Sequence, residues 1–493
     1  MRKRLKEIDS YAHAAGDIQR QQWEYLIRKA ESTEYGLKFR FKGIRTLQAF
    51  RSQVPVISYT ELQPYVERMM QGETGLLWPE RIRWFSKSSG TTHSKSKYIP
   101  VSREALADCH YKGGKDMYAL YMRQHPESGV FKGKTVSMGG SLKSWPSNPG
   151  IRCGDVSAIL TRKLPSWAES RRVPGKDIAL MEDWEQKLPL MAQATVSQDV
   201  RSLMGVPSWI LVYLEKVMEL SGKKSLKEIW PHLELLIHGG VSFTPYRRQY
   251  AELLGPSMHY IETYNASEGF FGMQDEENKD MLLMLDYGIY YEFIPAEEWD
   301  KEYPQAIGIE EVELGKNYAL AISTNAGLWR YLIGDTVVFT ALRPYRFRIS
   351  GRTRHFINTF GEELMVDNAD KALAMACMET GAEIADYTAA PVFLDASSQA
   401  RHQWLIEFRK SPADIGNFTC LLDRNLMTLN SDYEAKRSKD LLLKQPQVIP
   451  LPEGTFYLWL KEKGKLGGQN KVPRLSNSRE YVDEILKISR KEA

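Results

Sequence analysis

Cysteine is scarce in this sequence, and its placement excludes two kinds of site. The 493 residues contain only four cysteines, and none of them lies close to another along the chain. They therefore supply neither a disulfide framework nor the paired spacing of a zinc knuckle, and they fit a reducing compartment. Their positions are Cys109, Cys153, Cys377 and Cys420.

Long apolar runs are also missing. No stretch approaches the roughly 20 consecutive apolar residues that a membrane-spanning helix needs. The first residues, Met1-Arg2-Lys3-Arg4, carry charge but are not followed by the apolar core of a signal peptide. We therefore expect a soluble, cytoplasmic protein with no membrane partner.

The net charge and the sequence motifs give no support for several common classes of protein. With 66 basic and 62 acidic residues, the net charge of +4 gives no reason to expect a nucleic-acid partner. His238, Ser242 and His259 are not set in a Gly-x-Ser-x-Gly nucleophile elbow. The Gly-x-x-x-x-Gly-Lys-Ser/Thr spacing of a P-loop is absent as well. No carrier-protein segment is evident, and we expect a stand-alone monomer.

The apolar content is sufficient for more than one core. Hydrophobic residues make up 43% of the chain, and this length suits two or three domains. We predict an α/β fold in which residues 1–350 form a large domain with mixed sheets that binds nucleotide and acid. Residues 351–493 are predicted to form a smaller, mobile α+β domain. The segment Ser350-Gly351-Arg352-Thr353 predicts a hinge between the two.

One stretch predicts a strand–helix–strand unit. Residues 233–238 are a compact apolar run, and Gly239-Gly240 turns the chain. Thr244-Pro245 then has the pattern of an N-cap followed by proline in the first helical turn. Residues 257–263 supply the second strand, which is predicted to run parallel to the first. The loops at 238–242 and 264–268 are then expected at one edge of the sheet, where ligands bind in open α/β folds.

A hydroxyl-rich loop follows a predicted short strand at residues 81–85. Free backbone N–H groups and hydroxyls can surround a polyphosphate, a glycine lets the backbone approach it, and Lys95 and Lys97 follow. The same composition is typical of an ordinary solvated loop. The candidate phosphate-binding residues are Ser88, Ser89, Gly90, Thr91 and Thr92.

Two further segments give this loop its context. They are Tyr264-Asn265-Ala266-Ser267-Glu268-Gly269 and Trp329-Arg330-Tyr331-Leu332-Ile333-Gly334-Asp335. In this order, the three segments resemble the nucleotide motifs of the Gretchen Hagen acyl acid–amido synthetases, a family of acyl-adenylate-forming enzymes. The resemblance extends to an N-terminal segment at 54–65 and a late segment at 467–474. It implies that ATP and Mg²⁺ are used to adenylate a small carboxylic acid, and that the acyl group then passes to an amine, that of an amino acid.

The resemblance also implies roles for residues of the second motif. Tyr264 is expected to stack on adenine, with Gly240 and Val241 on the other side; the alternative is a core aromatic at a strand end. Glu268 is implied as the magnesium ligand and as a catalytic residue, since magnesium is held by one or two carboxylates and phosphate oxygens. The same motif contributes Asn265, Ala266 and Ser267 to the expected nucleotide site.

Three residues complete the expected site. Asp335 follows a glycine at a predicted strand boundary and is expected to accept hydrogen bonds from the ribose hydroxyls; the alternative is a common Gly-Asp turn. Arg352, at the predicted hinge, is a candidate nucleotide contact. Lys471 ends a glycine-rich loop and could reach phosphate as a point charge. By resemblance it is the catalytic lysine of adenylation.

Two other functions stay open. An acyl-CoA ligase would share the first half-reaction and differ in the acceptor. A nucleotide-binding regulator without catalysis is suggested by His93-Ser94, where small residues and glycine are usual in the family. Neither the acid nor the residues that bind it can be predicted from this sequence.

Overall fold

The computed structural model describes residues 2–88, 97–299, 301–353, 356–357, 362, 364–394, 399–437, 443–466 and 471–492. It divides into two compact units. The first consists of Met1–Gly205, Lys216–Gly240 and His259–Arg348, and the second of Val206–Glu215, Val241–Met258 and Ile349–Ala493. The second unit thus combines three segments, whereas the predicted domains, 1–350 and 351–493, are each continuous. Within the described ranges, no helix has the length and apolar character needed to cross a membrane.

The described residues form helices in both units, and several of these helices precede the first strand. In chain order they are α1 Arg2–Asp9, α2 Tyr11–Ala30, α3 Glu34–Lys38, α4 Leu47–Gln53, α5 Tyr59–Gln71, α6 Tyr111–Gln124, α7 Val156–Lys163, α8 Ser166–Glu169, α9 Lys176–Ala179, α10 Trp184–Thr195, α11 Pro207–Ser221, α12 Leu226–Ile229, α13 Arg247–Leu254, α14 Val366–Thr380, α15 Ile415–Leu429, α16 Ser431–Arg437, α17 Thr455–Glu462 and α18 Glu480–Glu492. A π-helical turn, Ala105–His110, leads into α6.

The strands belong to both units. They are β1 Trp84–Ser88, β2 Lys97–Val101, β3 Lys134–Ser137, β4 Leu142–Trp145, β5 Asn148–Gly154, β6 Arg172–Val173, β7 Val200–Gly205, β8 Leu235–Gly239, β9 His259–Ala266, β10 Gly269–Met273, β11 Met281–Leu283, β12 Ile289–Pro295, β13 Asn317–Thr324, β14 Tyr331–Leu342, β15 Tyr345–Arg352, β16 Phe356–Ile357, β17 Leu364–Met365, β18 Glu383–Leu394, β19 Gln399–Lys410 and β20 Gln447–Leu451.

Eleven strands form one mixed sheet, in the order β12-β13-β14-β15-β11-β10-β9-β8-β7-β3-β6. The pairs from β9 through β8, β7 and β3 to β6 are parallel. On the other side of β9, the pairs with β10, and of β10 with β11, are antiparallel. Strand β9 is therefore the place where the sheet changes direction, and its neighbours on the two sides have opposite chain directions.

The two parallel strands of the predicted strand–helix–strand unit are confirmed. β8 and β9 are parallel, with Leu235 opposite His259 and Gly239 opposite Thr263. The predicted cap is wrong: a 3₁₀ turn begins at Thr244 itself, with Phe243 before it, and α13 follows from Arg247. The connecting segment Val241–Met258 belongs to the second unit, not to the unit that contains the two strands.

A four-stranded sheet, β2-β1-β5-β4, carries the strand before the hydroxyl-rich loop. β1 pairs with β2 in antiparallel and with β5 in parallel orientation. Nearby in sequence, α5 begins in the segment at 54–65. Its first turn is closed by a capping box, in which the Ser58 hydroxyl accepts from a backbone N–H and Glu61 accepts from the Ser58 backbone. That segment of the family resemblance is thus a helix start.

The second unit has a separate apolar core. Strands β18, β19 and β20 form a three-stranded sheet, and α14 and α15 contribute the helical side of a cluster that includes Trp404, Leu373 and Leu422. α14 ends at Gly381, whose φ of +70° places it in the left-handed region that glycine adopts without strain.

Candidate functional site

The second motif is a strand and a tight turn, not a loop. β9 continues through Tyr264, Asn265 and Ala266, and Ala266 pairs with Gly269 at the start of β10. Ser267 and Glu268 are therefore the two residues of a hairpin turn. The expectation that residues 264–266 follow the strand is wrong, because pairing with β10 extends β9 into the motif.

Tyr264 and Asp335 lie in direct contact. The Tyr264 hydroxyl donates a hydrogen bond to Asp335 Oδ2 over 2.5 Å. The Tyr264 side chain is only 6% exposed, and its ring lies 4.8 Å from that of Phe271 and 6.2 Å from that of Phe347, centroid to centroid. The structure thus brings together two candidates from motifs 71 residues apart. Stacking of Tyr264 on adenine stays a prediction.

Asp335 is presented by an irregularity in β14. Ala321 pairs with Leu332 and Ala319 pairs with Thr336, so three residues of β14 face one residue of β13. Gly334 in this bulge has φ of +92°, in the left-handed region. Asp335 therefore lies inside the strand Tyr331–Leu342 and does not mark its boundary. Bulges of this kind redirect a side chain and are frequent beside binding sites.

The residues before Asp335 in the third motif have a structural role. The Arg330 guanidinium donates to both carboxylate oxygens of Glu292, over 2.8 and 3.0 Å, and both side chains are buried. Arg330 also donates to the backbone carbonyls of Arg51 and Val54. Trp329 is fully buried and donates from Nε1 to a backbone carbonyl. Trp329 and Arg330 therefore stabilise the fold next to the bulge in β14.

The strand before the hydroxyl-rich loop contacts the hairpin turn. Ser86 on β1 donates a hydrogen bond to the Ser267 hydroxyl over 2.9 Å and is fully buried. Ser88 is the last residue of β1. The other predicted phosphate contacts lie outside the described residues, namely Ser89, Gly90, Thr91 and Thr92. The Ser86–Ser267 contact holds β1 against the turn that carries Glu268.

A histidine that the sequence did not indicate contacts the same motif. His110, at the end of the π-helical turn, lies with Nδ1 2.9 Å from Asn265 Oδ1. Burial lowers the pKa of His110 to about 4, and the hydrogen bond to Asn265 opposes this shift only in part. The imidazole is therefore neutral at pH 7. π-Helical turns are frequently found at functional sites.

The predicted glycine turn lies at the end of β8. Gly239 faces the backbone of Thr263: a Cβ at Gly239 would lie 2.2 Å from the Thr263 carbonyl oxygen. Gly240 has φ of +85°. These values explain why two glycines are needed next to β9. Gly240 belongs to the first unit and Val241 to the second.

The two remaining candidates belong to the second unit. Arg352 is the last residue of β15, so the segment at 350–352 is strand, not a turn between strands. Lys471 is exposed and directly precedes a segment held against β18. There the Thr388 hydroxyl donates to the Pro473 carbonyl over 2.6 Å, and the Ala389 N–H donates to the Arg474 carbonyl over 2.9 Å. Hydrogen bonds therefore hold the chain in place just after Lys471.

The first unit brings Ser86, Tyr264, Ser267 and Asp335 into two hydrogen-bonded pairs around one hairpin. Glu268 lies at its turn and is partly exposed. A carboxylate on a two-residue turn fits a hard oxygen-preferring cation such as Mg²⁺. Sequence reasoning missed Ser86 and His110, since their partners lie 181 and 155 residues away. No local pattern marks either residue.

Two similar proteins are plant enzymes. The chain is 24% identical to the jasmonoyl–L-amino acid synthetase GH3.5 of Oryza sativa subsp. japonica, over 98% of this chain and 96% of that protein. It is 22% identical to the 4-substituted benzoates-glutamate ligase GH3.12 of Arabidopsis thaliana, over 97% and 95% of the two chains. The similarity thus spans nearly the whole of both relatives.

Solved structures of similar fold include two kinds of ligase. The GH3.15 acyl acid amido synthetase matches with a TM-score of 0.76 and 17% identity, over 99% of this chain and 95% of that chain. A 2-hydroxyisobutyryl-CoA ligase in complex with 2-HIB-AMP matches with a TM-score of 0.62 and 13% identity, over 97% and 93%. The predicted α/β fold of the adenylate-forming enzymes, with its N-terminal and C-terminal domains, is confirmed.

Three family models match successive parts of the chain. The GH3 family N-terminal domain matches residues 4–258, the central domain residues 282–352 and the C-terminal domain residues 367–480. The first of these alone covers more than half of the 493 residues. The resemblance that the three ordered motifs indicate is confirmed, and the chain belongs to the GH3 family.

Proposed function

We propose that this chain is an ATP-dependent acyl acid–amido synthetase, which adenylates a carboxylic acid and transfers the acyl group to the amine of an amino acid. The contact between Tyr264 and Asp335 carries the proposal. It joins the motif proposed for adenine with the motif proposed for ribose, as a single nucleoside would require. Family membership and the names of the relatives support the acyl and amine parts.

The first step forms a mixed anhydride. A carboxylate oxygen of the acid attacks the α-phosphorus of ATP, the bond to the β-phosphate oxygen breaks, and pyrophosphate leaves. In the second step the amine nitrogen attacks the acyl carbon, AMP leaves with the bridging oxygen, and the nitrogen loses a proton. The protein's part in such chemistry is to orient the groups and stabilise developing charge.

Residues of the first unit are proposed to hold ATP. Asp335 accepts from the ribose hydroxyls, and Tyr264 fixes the orientation of its carboxylate through their hydrogen bond. Ser88 and the four residues after it surround the phosphates. Glu268 holds Mg²⁺, which supplies positive charge to the phosphate oxygens when bound. Asn265, Ala266 and Gly240 complete the contribution of the first unit to the proposed nucleotide site, and Val241 is proposed as a contact from the second unit.

Lys471 is proposed as the catalytic lysine. Its ammonium would stabilise charge on the α-phosphate oxygens, as a point charge that requires no fixed hydrogen-bond geometry. Hydrogen bonds at residues 473 and 474 hold the chain just after it. We propose that the second unit delivers Lys471 for adenylation and withdraws it before the amine attacks, and that Arg352 contacts the nucleotide in one of these arrangements.

The acceptor distinguishes this proposal from its nearest alternative. The family's relatives are named for amino acid conjugation, whereas the 2-hydroxyisobutyryl-CoA ligase shares the fold at 13% identity and transfers to CoA, as its name states. We therefore favour an amine. We further propose that the protein acts in the cytoplasm and that it is a monomer. Light scattering on the purified protein would test the monomeric state.

The test uses purified protein and a panel of carboxylic acids. Pyrophosphate release from ATP should depend on one class of acid, and adding an amino acid mixture should yield an amide while CoA yields no thioester. A thioester in place of the amide would assign the chain as an acyl-CoA ligase. ATP binding without acid-dependent pyrophosphate release for any acid would favour the inactive regulator.

A further inference from the structure

A second group of potential ligands lies at the opposite end of β9 from the nucleotide motif. His259 is the first residue of β9, and the Ser267–Glu268 turn follows its last. At about 3.3 Å per residue, the strand separates the two places by more than 20 Å. His125 caps the C-terminal end of α6, and Glu277 lies between β10 and β11. All three residues belong to the first unit.

These side chains converge in space. One nitrogen of each imidazole and one carboxylate oxygen of Glu277 lie within 4.8 Å of one another. Zinc bonds of about 2.0–2.2 Å in a tetrahedral site bring ligand atoms to roughly 3.5 Å from each other. The ligand atoms need to approach one another by about an ångström to reach that spacing, and the two imidazole rings must also reorient. Glu277 is exposed and can make this movement, whereas the two histidines are partly buried.

Tyr121 orients one of the two imidazoles. Its oxygen lies 2.8 Å from His259 Nδ1 and 3.4 Å from Glu234 Oε2. A Tyr121 hydroxyl that donates to the Glu234 carboxylate leaves its lone pairs to accept from His259 Nδ1–H. That arrangement selects the tautomer in which Nε2 carries the lone pair. Histidines that bind metals almost always have such a partner on the other nitrogen.

The two imidazole rings of this group contact each other directly. At present the two rings are stacked, with centroids 3.8 Å apart and planes 18° apart. A cation bound in the plane of both rings would require one ring to rotate out of the stack.

We propose that His125, His259 and Glu277 bind a divalent transition-metal ion, with zinc as the preferred cation, in a site that links α6 to β9. Two imidazoles and one carboxylate are a donor set that suits zinc and does not suit Mg²⁺. The distance along β9 from the nucleotide motif separates this site from the adenylation chemistry, and its three protein ligands leave the fourth position of a tetrahedral zinc ion to water.

Zinc binding to the untagged 493-residue chain tests the proposal. Dialysis against ZnCl₂ followed by elemental analysis should find one ion per chain that excess Mg²⁺ does not displace. Co²⁺ in place of Zn²⁺ should give visible d–d absorption. Zinc should also raise the melting temperature, because a ligand that binds only the folded state stabilises it.

Variants separate the proposed site from other surface histidines. Glu277→Gln and His125→Gln should weaken zinc binding at least tenfold each, and Tyr121→Phe about tenfold through loss of the orienting partner. His13→Gln removes an exposed histidine on α2 and should leave binding unchanged. Equal zinc affinity in wild type and in the double variant His125→Gln/Glu277→Gln would overturn the proposal. So would a loss in His13→Gln as large as in Glu277→Gln.

Discussion

Tyr264 on β9 and Asp335 in the bulge of β14 are joined by a hydrogen bond of 2.5 Å from the tyrosine hydroxyl to Oδ2. Between them in the sheet order lie β10, β11 and β15, so the contact joins two strands that are not neighbours. It gives both residues a defined orientation before any nucleotide arrives. Pre-orientation of this kind reduces the entropy lost on binding.

Removing the Tyr264 hydroxyl should weaken ATP binding and leave the fold largely intact. In Tyr264→Phe, Asp335 loses a donor, and hydrogen bonds to charged groups contribute about 1.5–3 kcal/mol. We expect the KM for ATP to rise about tenfold or more. Tyr291→Phe is the matched control, since this buried hydroxyl donates to a backbone carbonyl over 3.1 Å. Equal ATP kinetics in the two variants would contradict the role of the contact.

The pair should also behave as a unit. Asp335→Asn should raise the KM for ATP, and adding Tyr264→Phe to it should have less effect than Tyr264→Phe alone, because the two residues share one interaction. Steady-state kinetics on the four proteins of this cycle measures the coupling. Strictly additive changes would mean that the hydrogen bond has no bearing on nucleotide binding.

Glu268→Gln should change the response to magnesium. Removing the carboxylate's charge weakens its bond to the cation while leaving the hairpin turn the same size. We expect several-fold more Mg²⁺ to be needed for half-maximal rate, measured at fixed ATP. Glu313→Gln, an exposed carboxylate near β13, serves as the control. An unchanged magnesium dependence in Glu268→Gln would place the metal ligand elsewhere.

Glu292→Gln should destabilise the fold. Glu292 and Arg330 form a buried bidentate pair, and loss of one partner leaves an uncompensated buried charge that costs about 3–5 kcal/mol. The midpoint of urea unfolding should fall markedly. Lys316→Gln, which removes an exposed ion pair with Glu313, should change the midpoint little. A stable Glu292→Gln would show that Arg330 does not depend on this partner.

His110 predicts a pH dependence of stability. Burial lowers the pKa of His110 to about 4 in the folded state, below the usual histidine pKa of about 6.5, so the folded state binds fewer protons between these values. Its contribution is complete above pH 6.5, falls as the pH drops towards 4, and amounts to roughly 3 kcal/mol over that window. His110→Gln should show a weaker decline of unfolding free energy from pH 6.5 to 4 than wild type. Parallel curves would contradict the assignment.

The sequence predicted the fold where local patterns are strong. The parallel strands β8 and β9 follow from an apolar run, a glycine turn and a second apolar segment. The predicted extent of β9 was wrong, because Tyr264 pairs with β10. Local patterns did not reveal β10 as a partner strand. Tertiary pairing of this kind overrides local propensity.

The candidate site was predictable only as a set of ordered motifs. The resemblance indicated Tyr264 and Asp335, and the structure adds the hydrogen bond between them. Ser86 and His110 lie in unremarkable local sequence, and their contacts join distant segments. The roles of all these residues in binding ATP remain predictions.

Measuring the rates of the two half-reactions in Lys471→Ala tests the central claim most directly. Lys465→Ala is the control from the same segment. Acid-dependent exchange of pyrophosphate into ATP reports adenylation, and amide formation from a supplied acyl-adenylate reports transfer. Loss of a charge that stabilises the transition state should depress exchange about 100-fold or more, while transfer stays near the wild-type rate. If Lys471→Ala slows both steps equally, or if wild type shows no acid-dependent exchange, the account of this chain as an adenylating amido synthetase with a dedicated lysine is contradicted.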